Sequence, residues 1–183
     1  MIQTGPRIRE LLADGSITID PPAPTLIGPN SVDLRLHNQM RVYEQQWGGQ
    51  SNAILDMKKP NYTRDLTIPH SGLILRPGHL YLARTVETIG SNKYVPMVEG
   101  RSSCGRLGLQ VHMTAGFCDI GFKGTITLEM TVVYPLRVYP GVPVAQVFFL
   151  KPEGAIQLYE GRYQGHVDAT ASRMHVEREG AGR

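Results

Sequence analysis

Asn30-Ser31-Val32-Asp33-Leu34-Arg35-Leu36 sets apolar Val32, Leu34 and Leu36 alternately with charged Asp33 and Arg35. A period of two places the apolar residues on one face and the charged ones on the other, the pattern of a half-buried β-strand. Similar short apolar runs recur at Leu73–Leu75, Leu80–Ala83, Tyr94–Val98, Thr125–Val133 and Val142–Leu150. Pro77-Gly78, Gly121, Gly124 and Pro140-Gly141 punctuate them. Many short strands separated by Gly/Pro turns predict a mainly β domain, a sandwich or a barrel.

Upstream of this stretch the period changes. Ile8, Leu11 and Leu12 share one helical face, Pro6 suits a first turn and Gly15 a stop, so one short N-terminal helix is expected. Downstream, residues 44–72 are less regular and hold Trp47, Gly48, Gly49, Pro60 and Pro69, which read as an excursion between strands. The last dozen residues, rich in Gly, Arg and Glu, read as a frayed tail.

With 183 residues, 41% hydrophobic and 19% charged, the chain fits a single globular domain, 1–183. No apolar run approaches the roughly 20 residues that span a bilayer. The N-terminus lacks a basic region followed by an apolar core, so a cytoplasmic protein without a membrane partner is expected. A net charge of +3 with no dense Lys/Arg run does not point to nucleic acid. Cys104 and Cys118 read as free thiols in a reducing compartment, although a disulfide cannot be read from sequence.

The chemistry concentrates between Glu99 and Glu129, EGRSSCGRLGLQVHMTAGFCDIGFKGTITLE. Arg101 and Arg106 offer forked donors for phosphate oxygens. Ser102 and Ser103 offer hydroxyls and suit a helix start, and Gly100, Gly105 and Gly108 allow close backbone approach. This block reads equally as a polyphosphate cradle and as a solvated, serine-capped turn. It is not a Walker loop, because the GxxxxGK[ST] spacing is absent.

Alternation from Thr125 to Met130 puts Thr125, Thr127 and Glu129 on one face, opposite Ile126, Leu128 and Met130. Taken alone, Glu129 is a solvent-facing strand glutamate. In a cleft, partial desolvation would suit it to proton transfer. Asp119, before Gly121, is an ordinary turn residue or an acceptor for a sugar hydroxyl. His112 reads as a satisfied structural histidine.

Together these residues resemble the dCTP deaminase family. The matching text is Asn30-Ser31-Val32-Asp33-Leu34-Arg35-Leu36, Pro77-Gly78, Thr85-x-Glu87 and Gly100-Arg101-Ser102-Ser103-x-Gly105-Arg106. It continues through Thr114-Ala115-Gly116-Phe117-x-Asp119-x-Gly121-Phe122, Leu128-Glu129, Gln146, and the tail Tyr159-x-Gly161-Arg162-Tyr163-Gln164-Gly165 with Ser172-Arg173. The resemblance implies a dUTPase-like distorted β-barrel or jelly roll. It also implies a homotrimer with active sites shared between subunits, and Mg²⁺ carried by the triphosphate.

By that resemblance Glu129 is the catalytic glutamate, Ser102 and Arg106 position the water and the pyrimidine, and the backbone of Ala115 faces the reacting amino group. Arg101 and Ser103 lie near the triphosphate, Asp119 in the sugar pocket and Phe122 near the nucleoside. Tyr159, Arg162 and His166 belong to a mobile tail, about 160–183, that closes over the phosphates. The implied chemistry is zinc-independent hydrolysis of dCTP to dUTP and ammonia. The combined H-x-E and P-C-x-x-C signature of zinc deaminases is absent, because the sequence holds no P-C-x-x-C.

Four positions depart from the family. His166 stands for a common glutamine, Ile120 for a proline, Val132 for an asparagine and His37 for a glycine, and none falls on the implied proton shuttle. Three other readings stand beside dCTP deamination. They are a bifunctional enzyme that also cleaves dUTP to dUMP and pyrophosphate, a dUTPase, and a nucleotide-binding regulatory trimer without catalysis.

Overall fold

The computed structural model describes residues 1–44 and 54–176, and its framework is one highly curved sheet. Helix α1 (Gly5–Ala13) precedes the strands β1 (Thr18–Asp20), β2 (Val32–Tyr43), β3 (Thr63–Thr67), β4 (Leu73–Leu75), β5 (Tyr81–Gly90) and β6 (Val95–Gly100). The short helix α2 (Ser102–Arg106) follows, then β7 (Leu109–Gln110), β8 (Lys123–Val132), β9 (Leu136–Val138) and β10 (Pro143–Leu150).

Across the main sheet the order is β6-β10-β2-β5-β8-β7, with β1 added to β5 and β3 to β2, while β4 and β9 pair separately. Its free edge nearly closes. The Val98 N–H donates to Gly116 O at 2.7 Å and the Cys118 N–H to Pro96 O at 3.0 Å, so β6 meets the segment that joins β7 to β8. Closure removes a row of unpaired backbone groups that an open edge would expose.

The alternation of β2 is realised residue by residue. Val32, Leu34 and Leu36 are buried, and Asp33 and Arg35 lie on the other face. These side chains join Leu75, Tyr81, Leu128, Met130, Val147 and Phe149 in one core. Each such burial contributes roughly 1.5–3 kcal/mol of transfer free energy. Helix α1 covers one side of the core with Ile8 and Leu11, and Gly15, at φ +72°, follows its end as its position predicted.

Not every element obeys simple alternation. Opposite β8, strand β5 is irregular between Arg84 and Thr88. The fully buried Thr85 accepts the Ile126 N–H at 3.0 Å and donates to Glu87 O at 2.7 Å, so its hydroxyl replaces a missing rung. Glu87, also fully buried, accepts both Arg35 N–H at 2.8 Å and Arg35 Nε–H at 2.6 Å.

Residues 44–72 were expected to be irregular, yet β3 lies inside them and pairs with Gln39–Tyr43. Its sequence, Thr-Arg-Asp-Leu-Thr, is too polar to signal burial, because only Leu66 packs against the core. Trp47 lies outside the described residues. Both cysteines are free. Burial pushes the Cys118 thiol up to about 12, reinforced by Asp119, and the side chain packs against the core.

Candidate active site

Glu129 sits in the middle of β8. Leu128 and Met130 on either side are fully buried, so the pleat turns Glu129 away from the core, where it is half-buried. Its Oε2 accepts the Met113 N–H at 3.1 Å. The carboxylate is therefore tied to the loop that carries Ala115, and Ala115 itself is exposed.

That loop is fixed by close backbone packing. A Cβ on Gly116 would lie 2.4 Å from Val98 O, so only glycine permits this approach. His112 is not the fully satisfied histidine that its apolar setting suggested. Its Nε2 is 3.1 Å from Glu99 Oε2, but its Nδ1 is buried without a partner. An apolar run signals burial of the ring and says nothing about what meets each ring nitrogen.

Next along the chain, Gly121 turns with φ +93°. The Phe122 N–H donates to Asp119 O at 3.1 Å, so Asp119 is a turn residue through its backbone while its carboxylate stays exposed. Phe122 meets Tyr159 edge-on, with ring centroids 6.2 Å apart.

The C-terminal segment then lies along this strand. Tyr159 N–H donates to Ile120 O at 2.8 Å, and Gly165 N–H to Lys123 O at 2.9 Å. Thr125 N–H donates to His166 O at 2.9 Å. The Gln164 amide spans the gap, donating to Gly121 O at 2.7 Å and accepting Lys123 N–H at 2.8 Å. Thr170 N–H reaches Thr127 Oγ1 at 3.1 Å. Thr125 is thus buried beneath the tail although it lies on the polar side of β8.

Within the tail, His166 Nδ1 is 3.1 Å from Thr170 Oγ1. Arg162 donates to Arg173 O at 3.1 Å, and Arg173 returns a bond to Arg162 O at 3.0 Å. Ser172 N–H donates to Tyr43 OH at 3.3 Å, and residues 177–183 lie outside the described residues.

The GRSS block forms α2, but not as a serine-capped turn. Arg101 occupies the N-cap, no side chain caps the helix, and Ser102 and Ser103 lie in its first turn. Ser102, Ser103 and Arg106 are exposed. Among the described residues, no hydrogen bond or ion pair joins them to Glu129, Asp119 or the tail. The chain therefore presents two separate polar groups, one around Glu129 and one on α2. At the start of α2, Arg101 is held against the sheet, with Nη2 3.1 Å from Asp33 Oδ2 and Nη1 donating to Pro143 O at 3.3 Å.

The sequence profile of the dCTP deaminase-like family matches residues 2–151, which include β8, the Asp119 turn and α2. The chain belongs to the dCTP deaminase-like family. A dUMP-forming dCTP deaminase of Leptospira biflexa is 51% identical over 167 residues, 91% of each chain. A dUMP-forming dCTP deaminase of Cytophaga hutchinsonii is 50% identical over 165 residues, 90% of this chain and 91% of that one. The fold resembles the crystal structure of 2′-deoxycytidine 5′-triphosphate deaminase from Agrobacterium tumefaciens, with TM-score 0.62 at 19% identity. That match covers 81% of this chain and 46% of the longer one.

Three of the contacts around Glu129 and the tail escaped the sequence. The Met113 N–H that holds Glu129 is a backbone group and leaves no residue signal. Gln164 stands in the tail text, but nothing in its spacing says that its amide bridges Gly121 and Lys123. Thr170 has no pattern at all until the tail is laid against Thr127.

Proposed function

We propose that this protein deaminates dCTP and hydrolyses the product, releasing ammonia, pyrophosphate and dUMP. The observation that carries this reading is Glu129, a half-buried carboxylate held by the Met113 N–H beside a loop, a turn and a tail of polar donors. Hydrolysis at C4 needs water to lose a proton and the leaving nitrogen to gain one. One carboxylate can accept the first and deliver the second. Water adds to C4 while one of its protons passes through Glu129 to N3; the second, from the new C4 hydroxyl, passes through Glu129 to the exocyclic nitrogen, the C4–N bond breaks, ammonia leaves and the C4 carbonyl forms.

Of the readings open at the sequence, the bifunctional one is favoured by relatives at about half identity whose names specify dUMP as product. In the second step, water attacks the α-phosphorus and pyrophosphate leaves. Asp119 and Phe122 would hold the deoxyribose and base. Arg101 and Ser103 would meet the phosphates, beneath a tail of Tyr159, Arg162 and His166 that opens and closes.

Ser102 and Arg106 would reach the pyrimidine from a neighbouring subunit of a homotrimer. The separation of α2 from Glu129 within one chain supports this arrangement. Mg²⁺ would arrive on the triphosphate and neutralise its charge.

The test is to incubate the protein with Mg²⁺ and dCTP or dUTP and to assay ammonia and pyrophosphate separately. Ammonia and pyrophosphate in equal amounts from dCTP are expected. Ammonia alone would reduce the activity to deamination, pyrophosphate from dUTP alone to a dUTPase, and neither product would leave a binding protein.

A further inference from the structure

The charged face of the Asn30–Leu36 stretch does more than meet solvent. Ser31, Asp33 and Arg35 lie on that face, and each holds a partner from another element. Ser31 Oγ donates to Gln146 Oε1 at 2.9 Å, and Gln146 Nε2 donates to Gly100 O at 3.4 Å. Asp33 Oδ2 lies 3.1 Å from Arg101 Nη2. Arg35 is locked to the buried Glu87. Gly100 and Arg101 are consecutive and lead directly into α2, so one strand face anchors the entry to the phosphate-binding block at two adjacent residues.

Arg101 is restrained on three sides. Its backbone N–H donates to Val144 O at 3.2 Å, its Nη1 to Pro143 O at 3.3 Å, and its Nη2 faces Asp33. A guanidinium has five N–H donors. Two are occupied by these acceptors and the others remain available on a partly exposed side chain.

We propose that Asp33 is a positioning residue for the substrate's phosphates, holding the Arg101 guanidinium by one edge so that its remaining donors are fixed toward them. This rests on the reading above that Arg101 meets the triphosphate. An unrestrained arginine would carry the same charge but spread it over many rotamers, and ordering it would then fall to substrate binding. Removing the carboxylate also removes a repulsive charge. At this partly exposed position that gain is screened by solvent and salt, so loss of order wins. Burial raises the Asp33 carboxyl above its ordinary range, opposed by the charge and hydrogen bond of Arg101.

The experiment measures KM and kcat for dCTP in the full-length protein and in Asp33→Ala, Arg101→Ala and the double variant, with Asp33→Asn as the conservative change. Asp33→Ala is expected to raise KM about tenfold, with kcat within about threefold. Asp33→Asn, which keeps an acceptor oxygen, should recover most of that loss. In the Arg101→Ala background, Asp33→Ala should change KM by less than about twofold, because its target is gone.

A full additional KM rise on that background would overturn the proposal and make Asp33 a purely structural residue. An unchanged KM in Asp33→Ala would overturn it too while leaving the deaminase reading intact. An unchanged KM in Arg101→Ala would instead remove the phosphate role of Arg101 itself, and the proposal with it. If Asp33→Ala does not fold, Asp33→Asn carries the same cycle, with an expected KM rise of about threefold that vanishes beside Arg101→Ala.

Discussion

Glu129→Gln separates proton transfer from everything else that Glu129 does. The side chains are nearly isosteric, and the glutamine oxygen can still accept the Met113 N–H that Glu129 Oε2 takes at 3.1 Å. The loop bearing Ala115 therefore stays in place. Exchanging a charged acceptor for a neutral one there costs about 1 kcal/mol. What disappears is the ability to take a proton from water and return it to nitrogen, worth about 10²–10⁴ in rate, or roughly 3–5 kcal/mol.

Ammonia release from dCTP should thus fall by at least about a hundredfold, while nucleotide affinity changes by less than about tenfold. Steady-state ammonia assays read the first quantity and titration calorimetry the second. A variant retaining more than about a tenth of the parental kcat would refute Glu129 as the proton carrier. Loss of binding and rate together would instead make it an anchor for the loop.

Four further outcomes are expected. Glu87→Ala leaves two Arg35 donors unpaired against a fully buried site and should cost about 3 kcal/mol in urea unfolding, the low end for a broken buried pair because Arg35 is partly exposed. In Gly124→Ala the new Cβ would sit 2.6 Å from His166 O, so the tail should lift, with faster amide exchange at Thr125 and Gly165.

Burial holds His37 below its ordinary value, reinforced by the Arg84 guanidinium and opposed by Asp168. The folded protein then binds fewer protons than the unfolded chain. This contribution to stability is present above about pH 6.5 and lost as pH falls through the folded value, and His37→Gln should flatten the fall of Tm on acidification. Sedimentation should give three times the mass of one chain, and a stable, active monomer would contradict shared sites.

The strands were legible wherever one face meets the core and the other meets water. Val32, Leu34 and Leu36, and Leu128 with Met130, announce themselves because burial enforces a period of two. Strand β3 was not legible, since an edge strand held mainly by backbone bonds need not show an apolar face. Strands β1, β7 and β9 are two or three residues long, too short for a period to emerge. The serines of the GRSS block suggested a cap, but the chain leaves β6 so that Arg101 takes that place.

The sequence by itself determined the mainly β architecture, the N-terminal helix and the membership of Glu129, Asp119 and the GRSS block in one family's text. These follow from local periodicity and from residue order, which need no partner in space. Only the tertiary structure decided which groups meet: Met113 N–H on Glu129, Gln164 between Gly121 and Lys123, and Asp33 on Arg101. Those contacts join residues 16, 43 and 68 positions apart or thereabouts, and they use backbone groups and polar side chains whose partners are set by sheet order and curvature. The charged side of Asn30–Leu36 shows the division. Alternation placed Asp33 outside the core, and the barrel gave it an arginine to hold.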